Sequence, residues 1–355
     1  MVVPSAALAA CSSFVLALYA CVFARRFAER RALLDRPNER SLHQTPVPRL
    51  GGVAIVFAVA LVMLAYWTSA GVARDLGLWL CAALAVAALG LYDDLRPLPA
   101  AVRFSVQLAI AAGVCAVAPP PARIPVTPAL ELALPLPLTA AGAVLGIAAV
   151  LNIYNFMDGM DGLAGAQAIG AAFSLGLAAA VSGNTDLAVL CAVIAAAAAG
   201  FLVHNAPPAK LFMGDAGSTF LGFGFAAIGV IGLRRPEPLP LIALVFGLAP
   251  FLCDGLFTLL RRLSRGERIW QAHRSHLYQR AVATGLPHHA VLVPYCAWIA
   301  LGAAATALEL ATDGHCTLAI AAGLALVFVA VWAWVRRREQ RSVHSPASQL
   351  TAEPR

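Results

Sequence analysis

Residues 138–162 read LTAAGAVLGIAAVLNIYNFMDGMDG, an apolar run that ends in a cluster of Asn, Asp and Gly. The apolar part, 138–154, approaches the ~20 residues that an α-helix needs to cross a bilayer. Its polar end is abrupt, as expected where a helix reaches the membrane surface. The stretch therefore predicts a transmembrane helix that carries a group of polar side chains at one end.

Similar apolar runs recur along the whole chain. Of the 355 residues, 61% are hydrophobic and 12% are charged, and the mean hydropathy is +0.79. This composition is far more apolar than that of a soluble domain. We therefore predict an all-α fold, a polytopic transmembrane bundle of about eleven helices. The runs are 2–24, 50–70, 77–92, 101–118, 138–154, 163–182, 187–204, 218–233, 239–260, 290–310 and 316–335.

The basic residues are divided very unequally between the two sets of loops. One set holds only Arg74, Arg123, Arg234 and Arg235, which leaves 21 of the 25 Lys and Arg residues for the other set and the chain end. Because loops rich in Lys and Arg stay in the cytoplasm, the N-terminus is predicted outside, in the periplasm, and the C-terminus in the cytoplasm. The net charge of +7 is explained by this topology, so no nucleic-acid partner is expected.

The chain is expected to form one transmembrane domain over residues 1–338, followed by a disordered cytoplasmic tail over 339–355. The segment 118–137 is rich in Pro and is predicted to be an extended external loop.

Five carboxylates lie where apolar runs meet the basic face. Asp93 and Asp94 end the third run, Asp158 and Asp161 follow the fifth, and Asp215 precedes the eighth. Such a convergence is costly unless a cation or a substrate compensates it. A set made only of oxygen ligands favours Mg²⁺ or Mn²⁺ over zinc. The simpler alternative, that Asp93 and Asp94 merely end a helix, stays open for that pair.

Two sequence blocks add polar groups to these carboxylates. Asn152, Asn155, Asp158 and Asp161 recur at a three-residue spacing, which would place them on one helical face. The block from Asn205 to Ser218 joins Lys210, the only Lys of the chain, to the Gly-flanked Asp215 that begins a helix. A helix N-terminus of this kind attracts phosphate.

A basic loop follows the ninth run. It contains Arg261, Arg262, Arg265, Arg268, His273, Arg274, His276 and Arg280. Arg and His side chains bind phosphate oxygens well. The alternative for the Arg residues alone is a loop that orients the chain and binds anionic lipid headgroups. That alternative leaves His273 and His276 unexplained.

Together these blocks resemble the polyprenyl-phosphate N-acetylhexosamine-1-phosphate transferases of glycosyltransferase family 4, the group that includes the MraY and WecA enzymes. The resemblance covers roughly residues 35 to 285. Its matching parts are Asp35-Arg-Pro-Asn38 through His43 to Gly51-Gly52, the Asp93-Asp94 pair, the N-x-x-N-x-x-D-G-x-D-G-L block from Asn152, the block from Asn205 to Ser218 and the His-containing loop.

The resemblance implies transfer of a sugar-1-phosphate from a UDP-N-acetylhexosamine to undecaprenyl phosphate, with release of UMP. This reaction initiates O-antigen or other surface polysaccharides at the cytoplasmic face of the bacterial inner membrane, and family members are often dimers. It also implies roles for the matching residues: Asp215, supported by Asp158, for Mg²⁺; Asp93 or Asp94, together with Asp158, for catalysis; and Asn152, Asn155, Asp161, Asn205, Lys210, His273, Arg274 and His276 for substrate binding.

Two departures point to the WecA-like branch rather than to the muropeptide enzymes. The muropeptide type has a run of three His, whereas this chain has His273-Arg-Ser-His276-Leu-Tyr278. It also has Thr-Pro-Thr-Met-Gly-Gly where this chain has Val47-Pro-Arg49-Leu-Gly51-Gly52. The identity of the sugar stays open.

Two other classes of membrane protein share part of the pattern. Tyr92-Asp93 and Gly214-Asp215 resemble the motifs of an intramembrane aspartyl protease, but Phe212 stands where that protease needs Gly. A transporter for a phosphorylated or nucleotide-linked solute would place ionisable residues near the bilayer midplane. Only Asp254 and Glu309 lie inside apolar runs, and Asp254 could equally support the site or pack in the helix bundle.

Overall fold

The computed structural model describes residues 5–37, 42, 45–71, 73–268 and 273–343. These residues form an almost wholly helical structure, which confirms the predicted all-α class. The helices are α1 (Ala6–Arg30), α2 (Gly51–Ala70), α3 (Arg74–Leu95), α4 (Ala100–Val117), α5 (Leu136–Met157), α6 (Leu163–Val181), α7 (Thr185–Asn205), α8 (Asp215–Gly232), α9 (Ile242–Gly247), α10 (Ala249–Ser264), α11 (Leu277–Ala283), α12 (His288–Ala311) and α13 (Thr317–Val343). Two short antiparallel pairs accompany them: β1 (Leu34–Asp35) with β2 (Val47–Pro48), and β3 (Arg123–Thr127) with β4 (Leu130–Ala133).

Ten helices among the described residues are long and apolar enough to cross a membrane: α1 to α8, α12 and α13. The remaining predicted run, 239–260, forms two helices, α9 and α10, that meet at Leu248. Pro250 lies in the first turn of α10, where backbone N–H groups have no partner within the helix, so the missing N–H of Pro costs nothing there. In a continuous helix the same Pro would remove a hydrogen bond. The chain is a multi-pass membrane protein in which one of the eleven predicted runs is a broken helix.

Helix α8 lies at the centre of the bundle, and nearly all of its residues are buried. Its glycines allow very close contacts: a Cβ on Gly52 of α2 would lie 2.2 Å from Cα of Gly217, and one on Gly90 of α3 would lie 2.5 Å from the Asp215 carbonyl oxygen. Membrane helices gain packing contacts when small residues let backbones approach in this way. The start of α8, and with it Asp215, is therefore held firmly against α2 and α3.

Arg235 lies on the face of the bundle opposite Asp94, Asp158 and Asp215. Its guanidinium lies 2.7 Å from the carboxylate of Asp186 and 3.4 Å from that of Asp75, so the starts of α7 and α3 meet the loop after α8 there. The segment 118–137 lies on this face too, where the backbone N–H of Leu241 donates to the Pro125 carbonyl at 2.8 Å. The segment connects α4 and α5 as a loop, as predicted, but it is more ordered than expected because strands β3 and β4 pair within it as a hairpin.

Helix α13 continues to Val343, so residues 339–343 are helical rather than part of a disordered tail. Glu339 explains this extension, since its carboxylate accepts hydrogen bonds from Arg280 at 2.8 and 2.7 Å. The remainder of the predicted tail, 344–355, lies outside the described residues.

Candidate active site

The helix ends opposite Arg235 surround a polar cavity of about 250 Å³. Six residues predicted from the sequence line it: Asp94, Asn155, Asp158, Asp161, Asn205 and Asp215. They come from the ends of α3, α5 and α7, the turn after α5 and the first residue of α8. The structure therefore brings together carboxylates that are far apart in the sequence.

Asp94 caps helix α8. Its Oδ1 accepts a hydrogen bond from the backbone N–H of Asp215 and its Oδ2 from that of Ala216, each at 3.1 Å. The first N–H groups of a helix lack partners within the helix and carry partial positive charge. The Asp94 carboxylate satisfies two of them while it lines the cavity.

The Asp93 carboxylate is paired with Arg103 and does not line the cavity. Its Oδ2 lies 2.5 Å from Arg103 Nη1, and its Oδ1 accepts from the Leu98 N–H at 2.6 Å. Arg103 also donates to Asp215 Oδ2 at 3.2 Å. Arg103 thus links Asp93 to the cavity carboxylate Asp215, and the sequence did not single it out as a site residue.

Asp158 follows α5 directly, and its backbone N–H donates to the Asn155 carbonyl at 3.3 Å. Its carboxylate forms no hydrogen bond or ion pair with any residue that the structure describes. Burial raises its pKa well above the usual range, and the charges of Asp215 and Asp94 add to that effect. A cation in the cavity would relieve this repulsion.

The predicted helical face of four residues was wrong. Asn152 and Asn155 lie on α5, but the helix ends at Met157, so Asp158 and Asp161 belong to the turn that follows. A Cβ on Gly159 would lie 2.3 Å from the hydroxyl of Tyr278, so this turn needs Gly for close contact with α11.

The two Asn side chains have separate environments. Asn155 lines the cavity, and its Oδ1 accepts from Ser218 Oγ at 2.6 Å. Asn152 donates to Gln107 Oε1 at 2.9 Å and to the Ala148 carbonyl at 2.8 Å, away from the cavity lining. Asn152 therefore connects α4 and α5 in the structure.

Asn205 joins the two loops that border the cavity. Its Oδ1 accepts from the Gly162 N–H and its Nδ2 donates to the Leu211 carbonyl, both at 2.9 Å. Asp161 reinforces the connection by accepting from the Ala209 N–H at 3.0 Å. Lys210 in the same loop is exposed and does not line the cavity.

The predicted His273, Arg274 and His276 also lie outside the cavity lining. His276 is buried, with its Nδ1 3.4 Å from Asp254 Oδ1. His273 contacts the His276 ring at 5.0 Å between centroids. Burial, together with the neighbouring His276 and Arg262, lowers the pKa of His273 to about 4, so the ring is neutral at pH 7.

Asp254 anchors the start of α11. Its carboxylate accepts from the Leu277 N–H at 2.9 and 3.1 Å and from the Tyr295 hydroxyl at 2.7 Å. The next turn of chain presents Gln279 to the cavity, and the Tyr278 hydroxyl donates to the Phe156 carbonyl at 3.2 Å. Asp254 therefore supports the site from inside the bundle without entering it.

The cavity also contains residues that sequence reasoning missed. They are Asp35, Arg49, Gln279 and His288. Arg49 donates to the Asp94 carbonyl at 2.8 Å, and His288 Nδ1 lies 3.1 Å from Asp161 Oδ1. Arg49 and Asp35 belong to the blocks around Gly51 and Asn38 that carried the resemblance, whereas no sequence signal distinguished His288. Asn38 and His43 of those blocks lie outside the described residues.

Across the part of the chain that the structure describes, no three His, Cys, Asp or Glu side chains form a ready-made metal site. The donor chemistry still fits Mg²⁺, which is commonly bound through one or two carboxylates, waters and substrate phosphates. Asp158 and Asp215 offer such oxygens, and Asp158 has no other described partner to satisfy it.

Comparison with known proteins places this sequence in a family. The glycosyl transferase family 4 model matches residues 76–233, which include all five site carboxylates. The "Probable undecaprenyl-phosphate N-acetylglucosaminyl 1-phosphate transferase" of Bacillus subtilis (strain 168) is 32% identical, over 81% of this chain and 80% of the relative. The chain belongs to glycosyl transferase family 4. The resemblance inferred from the sequence blocks is thereby confirmed at the level of the family.

Other family 4 relatives carry related names. The "Decaprenyl-phosphate N-acetylglucosaminephosphotransferase" of Mycobacterium tuberculosis (strain CDC 1551 / Oshkosh) is 31% identical, over 90% of this chain and 86% of the relative. The "Undecaprenyl-phosphate alpha-N-acetylglucosaminyl 1-phosphate transferase" of Escherichia coli (strain K12) is 26% identical, over 74% of this chain and 72% of the relative. The matches extend well beyond the family segment, so similarity covers most of the bundle.

Proposed function

We propose that this chain transfers N-acetylhexosamine-1-phosphate from a UDP-sugar to undecaprenyl phosphate and releases UMP. The observation that carries the proposal is the cavity at the helix ends, where Asp94, Asp158 and Asp215 meet Arg49. Phosphoryl transfer between two anionic partners needs cationic groups to offset their repulsion. The names of the family 4 relatives support the same reaction.

The position of the cavity suits a lipid acceptor. A polyprenyl chain stays in the bilayer while its phosphate reaches the surface, so an enzyme for it needs its site at the ends of membrane helices. The cavity lies at the ends of α3, α5, α7 and α8, on the side that holds most of the Arg residues. We infer that this side is the cytoplasmic face of the bacterial inner membrane.

The chemistry would proceed by attack of an acceptor phosphate oxygen on the sugar-linked phosphorus of the donor. The bond from that phosphorus to the bridging oxygen breaks, and UMP leaves with that oxygen. Asp158 and Asp215 would hold Mg²⁺, or Mn²⁺ in its place, which when bound neutralises charge on the diphosphate. Asp94 reaches the cavity whereas Asp93 does not, which favours Asp94 as the residue that faces the acceptor.

Other side chains that line the cavity would position the donor. Asn155, Gln279 and the Asp161–His288 pair offer hydrogen-bonding groups there. Arg103 would hold Asp215 in place through its hydrogen bond at 3.2 Å. His276 would act through Asp254 and α11 rather than by contact with the diphosphate.

We propose that the chain belongs to the WecA-like branch and initiates O-antigen or another cell-surface polysaccharide. Support comes from the His273–Tyr278 sequence, which lacks a run of three His, and from relatives named for N-acetylglucosamine. UDP-GlcNAc is therefore the first donor to test.

Radiolabel transfer in detergent tests the proposal. Purified protein would be incubated with undecaprenyl phosphate, Mg²⁺ and a panel of UDP-GlcNAc, UDP-GalNAc, UDP-QuiNAc and UDP-FucNAc. A labelled lipid together with released UMP is expected from at least one donor. Folded protein that yields neither product from any donor would overturn the proposed reaction.

A further inference from the structure

A second cavity, of about 590 Å³, is bordered by α10, α11, α13 and the loop before α11. We call it the basic cavity, and its charged residues are Arg261, Arg265, Arg274, Arg280, Arg336 and Glu339. It shares no described lining residue with the polar cavity of the candidate active site. Of the residues that the resemblance implies for substrate binding, Arg274 lines the basic cavity, and the reaction proposed above assigns Arg274 no role.

The basic cavity has a large excess of positive charge. Five guanidinium groups face one carboxylate, that of Glu339, which already accepts two hydrogen bonds from Arg280. Nε of Arg261 and Nη1 of Arg280 are buried and have no hydrogen-bond partner among the residues that the structure describes. Like charges and unpaired donors held together in this way favour a bound anion with several acceptor oxygens.

Apolar surface adjoins these charges directly. Phe257 and Trp332 line the same cavity, and the guanidinium of Arg336 lies 5.1 Å from the Trp332 ring centroid. On α10, the side chains of Leu260 and Leu263 are exposed beside Arg261. An exposed apolar helix surface that ends in Arg residues is typical of the boundary between lipid tails and headgroups.

We propose that the basic cavity binds the phosphate headgroup of an anionic membrane phospholipid. The phosphate oxygens would accept from Arg261, Arg265 and Arg336, while the acyl chains lie along the apolar side of α10. A lipid fits better than free phosphate because Leu260 and Leu263, which flank the Arg pair 261–262 on α10, have exposed side chains. The proposal concerns binding alone and is independent of the transfer reaction.

Native mass spectrometry in detergent tests the proposal with phosphatidylglycerol as the probe and phosphatidylcholine as the zwitterionic comparison. The test variant is Arg261→Gln/Arg265→Gln. The matched control is Arg26→Gln/Arg30→Gln, which removes two charges from the end of α1, a helix end with exposed Arg side chains. Wild-type and control proteins should retain phosphatidylglycerol in preference to phosphatidylcholine, and the test variant should bind it roughly tenfold more weakly.

Three results would overturn the proposal. They are an equal loss of phosphatidylglycerol binding in both double variants, equal retention of the two phospholipids by wild type, and displacement of phosphatidylglycerol by millimolar inorganic phosphate. Preferential retention of undecaprenyl phosphate at these Arg residues would also overturn it, by assigning the cavity to the acceptor. Should the double variant unfold early in a thermal melt, Arg336→Gln on α13 provides the same comparison from a different helix.

Discussion

Asp94 caps the helix that begins at Asp215, because its Oδ1 accepts from the Asp215 N–H at 3.1 Å while Oδ2 accepts from the next N–H. One carboxylate of the cavity therefore holds another in position. Asp94→Ala should lower the free energy of unfolding by about 1 kcal/mol through loss of the cap and should also reduce transfer. Thermal unfolding and transfer rates in detergent check both effects.

Glu131→Gln is the matched control for that variant, since Glu131 is exposed on the hairpin of the opposite face. An Asp94→Ala protein as stable as this control would show that the cap contributes nothing.

Substitution of Asp158 should reduce activity without reducing stability. Its carboxylate has no described partner, and burial and the charges of Asp215 and Asp94 raise its pKa. Asp158→Asn should therefore unfold at the same or a higher temperature than wild type in metal-free buffer, while transfer falls by about a hundredfold or more. Asp215→Asn should lose activity to a similar extent. Wild-type transfer rates in both purified variants would refute these site assignments.

Metal removal should abolish transfer. Treatment with EDTA is expected to stop the reaction, and added Mg²⁺ or Mn²⁺ should restore it, because the cavity offers oxygen ligands. Mg²⁺ should also raise the unfolding temperature of wild type but not of Asp158→Asn, since a ligand that binds the folded state stabilises it. Activity that survives exhaustive chelation would contradict the metal role.

Asp254 should control the position of α11 from inside the bundle. Asp254→Ala removes the acceptor of the Leu277 N–H and the Tyr295 hydroxyl and should destabilise the protein by roughly 3 kcal/mol. Tyr295→Phe removes one of these bonds and should cost about 1 kcal/mol. Hydrogen exchange over residues 277–283 measures the loosening. Unchanged exchange there in Asp254→Ala would exclude the anchoring role.

His273 should make stability depend on pH in the acidic range. The folded protein lowers its pKa from the usual 6.5 to about 4, so below 6.5 the unfolded chain binds the proton more readily. Stability is therefore lost as pH falls from 6.5 towards 4, and His273 has no such effect above that window. Plots of unfolding temperature against pH for wild type and His273→Asn should run parallel above pH 6.5 and differ in slope below it. Parallel curves throughout would contradict the low pKa.

The membrane helices could be predicted from sequence alone because apolar length is a local property. Each run of sufficient length must satisfy its own backbone hydrogen bonds in lipid, whatever its neighbours are. The same local property identified Asp94, Asp158 and Asp215, since a carboxylate at the end of an apolar run stands out against its surroundings. All three line the cavity.

Only the tertiary structure decided which polar groups share that cavity and which support it. Arg49 enters it from the segment before α2, and Gln279 and His288 enter it from α11 and the start of α12, whereas His276 turns inward to Asp254. The physical reason is that a side chain's direction depends on the rotation of its helix and on contacts such as that between Gly52 and Gly217. Those contacts arise between helices, so residue spacing along one helix cannot encode them.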